Sequence, residues 1–222
     1  TYGVTISPDQ ILVTAGTSPA MLLLFGHLLE AGDEVVLSDP YYACYPNFIR
    51  YAEGQPVYVD TTEEDGFQYR PEAIRTRLGR RTRAILINSP ANPTGGVTPK
   101  EDVEKLVKGL AAHPHVAIMS DEIYGQMTYD GLPHISLLSY PEIRDRLILL
   151  NGWSKTYAMT GWRLGYAVWP AKLYDYARKL AVNLHSCVNA SAQYAGLAAL
   201  KGPQDEGGRM IAEFDWRRKV VT

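Results

Sequence analysis

Short apolar runs rich in β-branched residues recur along the chain and alternate with helix-like segments. The runs are almost wholly apolar rather than alternately apolar and polar, which is typical of strands covered on both faces of a sheet. We therefore predict an α/β fold with three layers, α/β/α, a mostly parallel seven-stranded sheet and one domain over residues 1–222. The predicted strands lie at 11–15, 34–40, 56–60, 84–90, 116–122, 147–153 and 164–169.

The last two predicted strands are joined differently from the others. Only residues 154–163 separate the run at 147–153 from the run at 164–169. A right-handed crossover between parallel strands needs about a dozen residues or more. We therefore predict that the seventh strand runs antiparallel to its neighbours.

Two connecting segments carry clear helix-start signals. Ser18 precedes Pro19, a pattern typical of a capping residue followed by proline at the first helical position, and Gly32 would end that helix. Thr98 and Pro99 repeat the arrangement. We predict that Ser18 and Thr98 cap two helices.

The two ends of the chain look like cuts in a longer protein. The chain begins without methionine, and the segment 206–222 predicts a helix that no glycine or proline follows. We expect the chain to be a fragment.

Composition and charge narrow the classes of function. The chain is 46% hydrophobic and 21% charged, with a formal net charge of -2, which is ordinary for a globular protein. Nothing in this balance indicates a nucleic-acid or anionic-membrane partner. No apolar run approaches the roughly 20 residues of a membrane span. We expect neither nucleic acid nor membrane as a partner.

The cysteines and histidines do not indicate a metal site. Cys44 and Cys187 are far apart and lack CxxC spacing, so we predict two small core side chains in a reduced, cytoplasmic protein. His113 and His115 flank a proline in a predicted loop, a spacing that matches no metal motif. We therefore predict no bound metal.

Polar clusters follow five of the predicted strands. The carboxyl ends of parallel strands meet at one edge of a sheet, where ligands of such folds bind. We predict a ligand site at this edge. The clusters lie at 14–18, 39–42, 89–96, 120–124 and 151–155.

Taken singly, these clusters have simpler explanations. Thr17 and Ser18 at a helix start could form an anion cradle, but helix capping alone would also explain them. Only Gly16 stands where a dinucleotide-binding motif needs three glycines, and no P-loop lysine follows. Asp121 and Glu122 are adjacent on a strand and point to opposite faces, so they cannot act as a glycosidase pair. Asp121 alone could be a turn cap.

Lys155 gives the clusters a common chemistry. A lysine amine at a strand end can form a Schiff base with an aldehyde cofactor. The cofactor's phosphate would then lie on the helix N-terminus and Arg163, and an aspartate would pair with a protonated ring nitrogen. No motif of a metallohydrolase or a serine hydrolase competes with this interpretation.

With these motifs in order, the chain resembles the class I/II aminotransferases, the fold-type I enzymes that use pyridoxal 5′-phosphate (PLP). The segment "SKTYAMTGWRLGY" is most similar to the aspartate and aromatic aminotransferases of that family. The resemblance extends over the whole chain. The motifs that carry it are "TAGTSPA", "DPYYACY", "NPTG", "DEIY" and "GWSKTYAMTGWRLG".

The resemblance implies a role for nine residues. Lys155 would carry the Schiff base, and Asp121 would contact the pyridine nitrogen. Tyr42 would stack on the ring, and Asn92 and Tyr124 would bind the ring hydroxyl. The phosphate would be bound by Thr17, Ser18, Ser154 and Arg163. Lys155, Asp121 and Tyr124 would be the catalytic residues among them.

Two positions depart from the family pattern. Gly152 stands where the family often has a serine whose hydroxyl touches the phosphate, and Trp153 replaces a residue that is usually smaller or Phe. Ser154 could supply the missing hydroxyl. The departures put one phosphate contact in doubt and leave the chemistry in place.

The implied activity is transfer of an amino group between an L-amino acid and a 2-oxo acid by a cytoplasmic homodimer. Residues 1–222 would be the PLP-binding large domain. An N-terminal segment and a C-terminal small domain, which carries the arginine for the substrate carboxylate, would be absent. Two alternatives stay open: another fold-type I activity such as a C–S β-lyase, or a PLP-sensing domain of a transcription regulator.

Overall fold

A computed structural model describes residues 2–222 and contains a seven-stranded sheet. All seven predicted runs form strands, in the spatial order β1-β7-β6-β5-β4-β2-β3. β7 pairs antiparallel with both β1 and β6, whereas the other pairs are parallel. The predicted fold class and the predicted antiparallel strand are therefore confirmed. The strands are β1 (Ile11–Thr14), β2 (Glu34–Asp39), β3 (Gln55–Asp60), β4 (Thr82–Asn88), β5 (Ala117–Asp121), β6 (Leu147–Gly152) and β7 (Gly165–Val168).

Helices cover the two faces of this sheet. On one face, α1, α2 and α5 pack over a core that includes Leu86 and Met119. On the other face, α3 and α4 pack over a core that includes Ile85 and Ile118. Successive residues of one strand are thus buried on opposite faces, which explains why the runs lack polar alternation. The helices are α1 (Thr17–Leu28), α2 (Tyr45–Tyr51), α3 (Pro71–Arg77), α4 (Lys100–Ala111), α5 (Ala171–His185), α6 (Ala190–Lys201) and α7 (Asp205–Val221).

The predicted start of the first helix is wrong by two residues. Gly16, with φ of 94° and ψ of 176°, is the residue before α1, and Thr17 is already helical. Ser18 therefore lies inside the first turn instead of capping it. The glycine conformation turns the chain so sharply out of β1 that the helix begins immediately, and α1 ends at Leu28, before the predicted stop at Gly32.

The predicted cap of the second helix is also wrong. α4 begins at Lys100 after Pro99, and no side chain caps it. Thr98 instead donates its backbone N–H to Ser89 Oγ at 2.9 Å. This bond holds the segment after β4 close to the sheet, so the chain enters the helix later than the sequence pattern indicates.

The prediction that both cysteines are core residues is wrong for Cys187. Neither cysteine is in a disulfide; Cys44 is half-buried, but Cys187 is exposed between α5 and α6 and is not a core residue. His113 and His115 lie between α4 and β5, as predicted. The predicted terminal helix is α7. Across residues 2–222, every helix is too short or too polar to cross a membrane.

Candidate active site at the carboxyl edge of the sheet

A cavity of about 180 Å³ opens at the carboxyl edge of the sheet. All nine residues singled out from the sequence line it, although they come from five separate segments of the chain. The structure thus places them together, and their individual roles remain predictions. The nine are Thr17, Ser18, Tyr42, Asn92, Asp121, Tyr124, Ser154, Lys155 and Arg163.

Asp121 is the buried carboxylate of this cavity. It ends β5 with 3% of its surface exposed. Its Oδ2 accepts a hydrogen bond from the Tyr45 hydroxyl at 2.9 Å, and its Oδ1 accepts the backbone N–H of Ile123 at 3.2 Å. Burial raises the pKa of Asp121 to about 6, although these two bonds and the charge of Lys155 oppose the rise. A cationic partner would offset the unfavourable burial of this charge.

Glu122, the next residue, belongs to a different environment. Its carboxylate accepts hydrogen bonds from Ser120 Oγ at 2.9 Å and from the backbone N–H of Leu137 at 3.0 Å. It also lies 2.9 Å from Nε2 of His134. These contacts hold Glu122 away from the cavity, in agreement with the opposite-face argument for Asp121 and Glu122.

Lys155 lies on the loop that follows β6. It is half-buried, and its Nζ is 5.4 Å from the centroid of the Tyr124 ring. The amine therefore faces a tyrosine from the loop after β5, the strand that neighbours β6 in the sheet. This is the single lysine among the lining residues, and it is close enough to Asp121 to influence that carboxylate.

An anion cradle is formed where β7 approaches the start of α1. A Cβ atom built on Gly165 would lie 2.6 Å from the carbonyl carbon of Gly16 and 2.9 Å from the backbone nitrogen of Thr17. Arg163 bonds to both sides of the gap, with Nη1 donating to the carbonyl of Thr160 at 2.9 Å and Nη2 to that of Ala15 at 3.3 Å. A helix N-terminus and an arginine thus face the same space.

Tyr42 and Tyr45 form an aromatic wall of the cavity. Their ring centroids are 5.3 Å apart with an interplanar angle of 80°. A hydrogen bond with Cys44, and to a lesser extent burial, raise the pKa of Tyr42 to about 12. Tyr42 therefore stays neutral at physiological pH.

Sequence reasoning missed Asn88, which lines the same cavity. Its Nδ2 donates to the carbonyl of Asp121 at 2.9 Å and to that of Pro90 at 3.2 Å. Its Oδ1 accepts the backbone N–H of Asn92 at 2.9 Å. Asn88 thus ties the Asn92 loop to the end of β5. A polar residue ending an apolar run, as Asp121 also does, was the available signal.

Four more lining residues were missed: Met21, Tyr45, Ile123 and Thr160. Tyr45 follows Tyr42 by three residues, so a helical turn there would have placed both tyrosines on one side. The other three give no signal in the sequence, because neither their residue types nor their spacing indicates chemistry.

The two departures from the family pattern have a structural reason. A Cβ on Gly152 would lie 2.9 Å from both Gly165 Cα and the carbonyl oxygen of Leu164, so a serine does not fit there. Trp153 turns into the core, where Nε1 donates to the carbonyl of Gly196 at 3.0 Å. Ser154, in contrast, lines the cavity and is adjacent to Lys155 in sequence.

The donor set fits PLP. It combines an amine, a buried carboxylate and an anion cradle, which match the aldehyde, the ring nitrogen and the phosphate of that cofactor. Within the described part of the chain, no group of three His, Cys, Asp or Glu side chains is placed to hold a metal.

Comparisons with known proteins agree with the resemblance to the aminotransferases. The family "Aminotransferase class I and II" matches residues 1–222. The aspartate aminotransferase of Geobacillus stearothermophilus is 38% identical over 220 residues, covering 99% of this chain and 56% of the relative. The (5-formylfuran-3-yl)methyl phosphate transaminase of Methanocaldococcus jannaschii is 38% identical over 221 residues, covering 99% and 56%.

Solved structures show the same likeness. The aspartate aminotransferase of Rhizobium meliloti superposes with a TM-score of 0.96 at 34% identity, covering 99% of this chain and 55% of that one. That of Thermotoga maritima gives 0.92 at 38% identity, covering 99% and 57%. The chain therefore spans about half the length of the relatives it matches.

Proposed function

The chain belongs to the class I and II aminotransferases, and on that premise we propose that residues 1–222 form a PLP-binding domain. We propose further that the whole protein transfers an amino group between an L-amino acid and a 2-oxo acid. The observation that carries the proposal is the meeting of Lys155, Asp121 and Arg163 in one cavity. An amine, a buried carboxylate and an anion-binding arginine serve three separate parts of PLP.

Each part of the cofactor has residues to hold it. Bound PLP would supply an aldehyde that captures amino groups and a protonated pyridine ring that withdraws electrons from the substrate α-carbon. Tyr42 would cover the ring, and Asn92 and Tyr124 would hold its hydroxyl. The phosphate would lie among Thr17, Ser18, Ser154 and Arg163, at the N-terminus of α1.

Asp121 would keep the ring nitrogen protonated. Its carboxylate is buried, so its charge is most stable beside a cation. A protonated ring nitrogen is such a cation, and pairing the two would stabilise both charges. Asp121 would therefore act on the electronic state of the ring as well as on binding.

Lys155 would bond to the aldehyde and later carry a proton. Once a substrate amine has taken its place, the freed Lys155 amine would act as the general base at the substrate α-carbon. Its Nζ lies 5.4 Å from the centroid of the Tyr124 ring, so the freed amine would stay inside the cavity.

The partners and the location are proposals from the same resemblance. We propose amino acid and 2-oxo acid substrates, with aspartate as the first amino donor to test, because several relatives are named aspartate aminotransferases. We also propose a homodimer, and a cytoplasmic location, with which the free thiols of Cys44 and Cys187 agree. The lyase and sensor alternatives are not favoured by the relatives' names.

Borohydride trapping tests PLP binding. The purified 222-residue protein is titrated with PLP, reduced, digested and analysed by mass spectrometry. We expect the pyridoxyl group on Lys155 at PLP concentrations that leave exposed lysines such as Lys172 unlabelled. Equal labelling of Lys155 and Lys172 would contradict the proposal. Transamination is assayed in the whole protein, with aspartate and tyrosine as donors.

A further inference from the structure

Tyr45 makes a specific contact with the buried carboxylate of the cavity. It is the first residue of α2, with 2% of its surface exposed, and its hydroxyl donates to Asp121 Oδ2 at 2.9 Å. The two residues are separated by 76 positions in the chain. The bond therefore depends on how α2 packs against the end of β5.

We propose that Tyr45 is a positioning residue that holds Asp121 in the orientation and the ionised form needed to pair with a protonated pyridine nitrogen. The proposal rests on the proposed function, because it concerns how this chain prepares Asp121 for that cofactor. Tyr45 would act through Asp121 and would not need to touch the cofactor itself.

The surroundings of Asp121 show why a donor is needed there. Burial is the largest influence against its charged form, and Glu122 adds to it, whereas Lys155 favours the charge. The phenols of Tyr42 and Tyr124 line the same cavity, and the pKa of Tyr42 is raised to about 12, so Tyr42 is neutral at physiological pH. The Tyr45 hydroxyl and the Ile123 N–H are thus the two donors that stabilise the carboxylate.

Tyr45 remains a donor over the working pH range. Burial and the nearby Asp121 carboxylate raise the pKa of its phenol well above the ordinary value of 10.0. The hydroxyl therefore stays protonated wherever Asp121 is ionised. With its Oδ2 and Oδ1 each held by one donor, the carboxylate has a fixed plane and keeps lone pairs for a ring nitrogen.

The ring of Tyr45 has a second contact, which a suitable variant leaves intact. It meets the Tyr42 ring edge to face, with centroids 5.3 Å apart. Tyr45→Phe removes the hydroxyl and keeps this contact, so it separates the hydrogen bond from the aromatic packing. Tyr69→Phe is the matched control, because the Tyr69 hydroxyl donates to the carbonyl of Leu86 at 2.7 Å and Tyr69 does not line the cavity.

The first measurement needs no cofactor. The Asp121 carboxyl carbon is titrated by carbon-13 NMR in the ligand-free protein and assigned by its loss in Asp121→Asn. We expect Tyr45→Phe to increase the proton affinity of Asp121 about tenfold, as for a lost hydrogen bond to a charged group. Tyr69→Phe should leave it unchanged. An unchanged midpoint in Tyr45→Phe, or an equal change in Tyr69→Phe, would overturn the proposal.

The second measurement concerns PLP. The dissociation constant of PLP is measured against pH for the parent and both Phe variants. We expect Tyr45→Phe to raise it about tenfold near neutral pH and to move the acidic limb of the profile to higher pH. A shifted Asp121 midpoint with an unchanged PLP profile would overturn the role toward the cofactor.

The two measurements also separate this proposal from the proposed function. If the parent protein does not bind PLP, the proposed function fails, whereas the carbon-13 titration still decides whether Tyr45 controls Asp121. If Tyr45→Phe does not fold, the Tyr45 hydroxyl proton is followed in the parent protein. The chemical shift of this proton should change with pH at the titration midpoint of Asp121. A chemical shift that does not change at that pH would overturn the proposal.

Discussion

The guanidinium of Arg163 lies directly against the α-carbon of Gly16, so that even a methyl group on Gly16 would collide with it. This contact joins the loop after β1 to the segment before β7. It explains why the helix N-terminus and the arginine can face the same space, because no side chain lies between them.

Gly16→Ala should therefore disrupt the cradle. The new methyl group would displace Arg163, and φ of 94° is strained for alanine. We expect the affinity for PLP to fall about tenfold or more and the free energy of unfolding to fall by about 1–3 kcal/mol. Gly32→Ala is the control, because Gly32 has φ of 85° but nothing within 4 Å of the added carbon. An equal loss of PLP affinity in both variants would argue against the cradle.

Arg163→Lys tests the planar fork of the guanidinium. A lysine keeps the charge but cannot reach the carbonyls of Ala15 and Thr160 and a phosphate together. We expect PLP binding to weaken by about 1–3 kcal/mol. Arg178→Lys, on the exposed side of α5, should have no effect. A PLP titration identical to that of the parent protein would exclude this role for Arg163.

Lys155→Ala tests the covalent attachment. The residue follows β6 on a loop and contributes little to the core, so we expect the circular dichroism spectrum and the melting temperature to stay close to those of the parent. Borohydride should no longer fix the cofactor to the protein. Lys172→Ala serves as the control. A reducible, site-specific PLP adduct in Lys155→Ala would show that another lysine is used.

Asn88→Asp tests the junction between the loops after β4 and β5. The carboxylate has the same shape but would face the carbonyls of Asp121 and Pro90, to which Asn88 now donates. We expect a loss of about 2 kcal/mol in unfolding free energy and a several-fold weaker affinity for PLP. Asn183→Asp is the control, since Asn183 donates to Lys179 on the exposed face of α5. An unchanged affinity for PLP together with an unchanged free energy of unfolding would show that Asn88 does not support the site.

The pH dependence of stability reports on Asp121. Its pKa rises from an ordinary value of 3.8 to about 6 in the folded protein. Between these values the folded state holds a proton that the unfolded state has released, so stability from this group is full at low pH. This contribution to the free energy of unfolding, about 3 kcal/mol, is lost as the pH rises through about 6.

Asp121→Asn removes this titration. The free energy of unfolding is measured with urea in the ligand-free protein. The value for the variant minus that for the parent should increase by about 3 kcal/mol between pH 4 and pH 7. Asp175→Asn, on the exposed surface of α5, should follow the parent at every pH. A difference between Asp121→Asn and the parent that does not change with pH would show that burial does not shift Asp121 in this way.

The seven-stranded sheet and the position of the ligand site at its carboxyl edge could be predicted from sequence patterns. Strands buried on both faces must be apolar throughout, so the seven runs could be recognised without the structure. The short link 154–163 likewise determined the direction of β7, because a parallel crossover does not fit in it. Since carboxyl ends of parallel strands share an edge, the polar clusters had to converge.

The residues that complete the cavity, and the contacts that hold them, depend on how distant segments pack. Asn88 meets Asp121 because β4 and β5 pair in a register that places these two residues side by side. Tyr45 reaches Asp121 only through the packing of α2, and Cys187 is exposed because its loop lies outside both cores. Such contacts depend on register and packing between distant segments, whereas periodicity in the sequence reports only which face of a local element is buried.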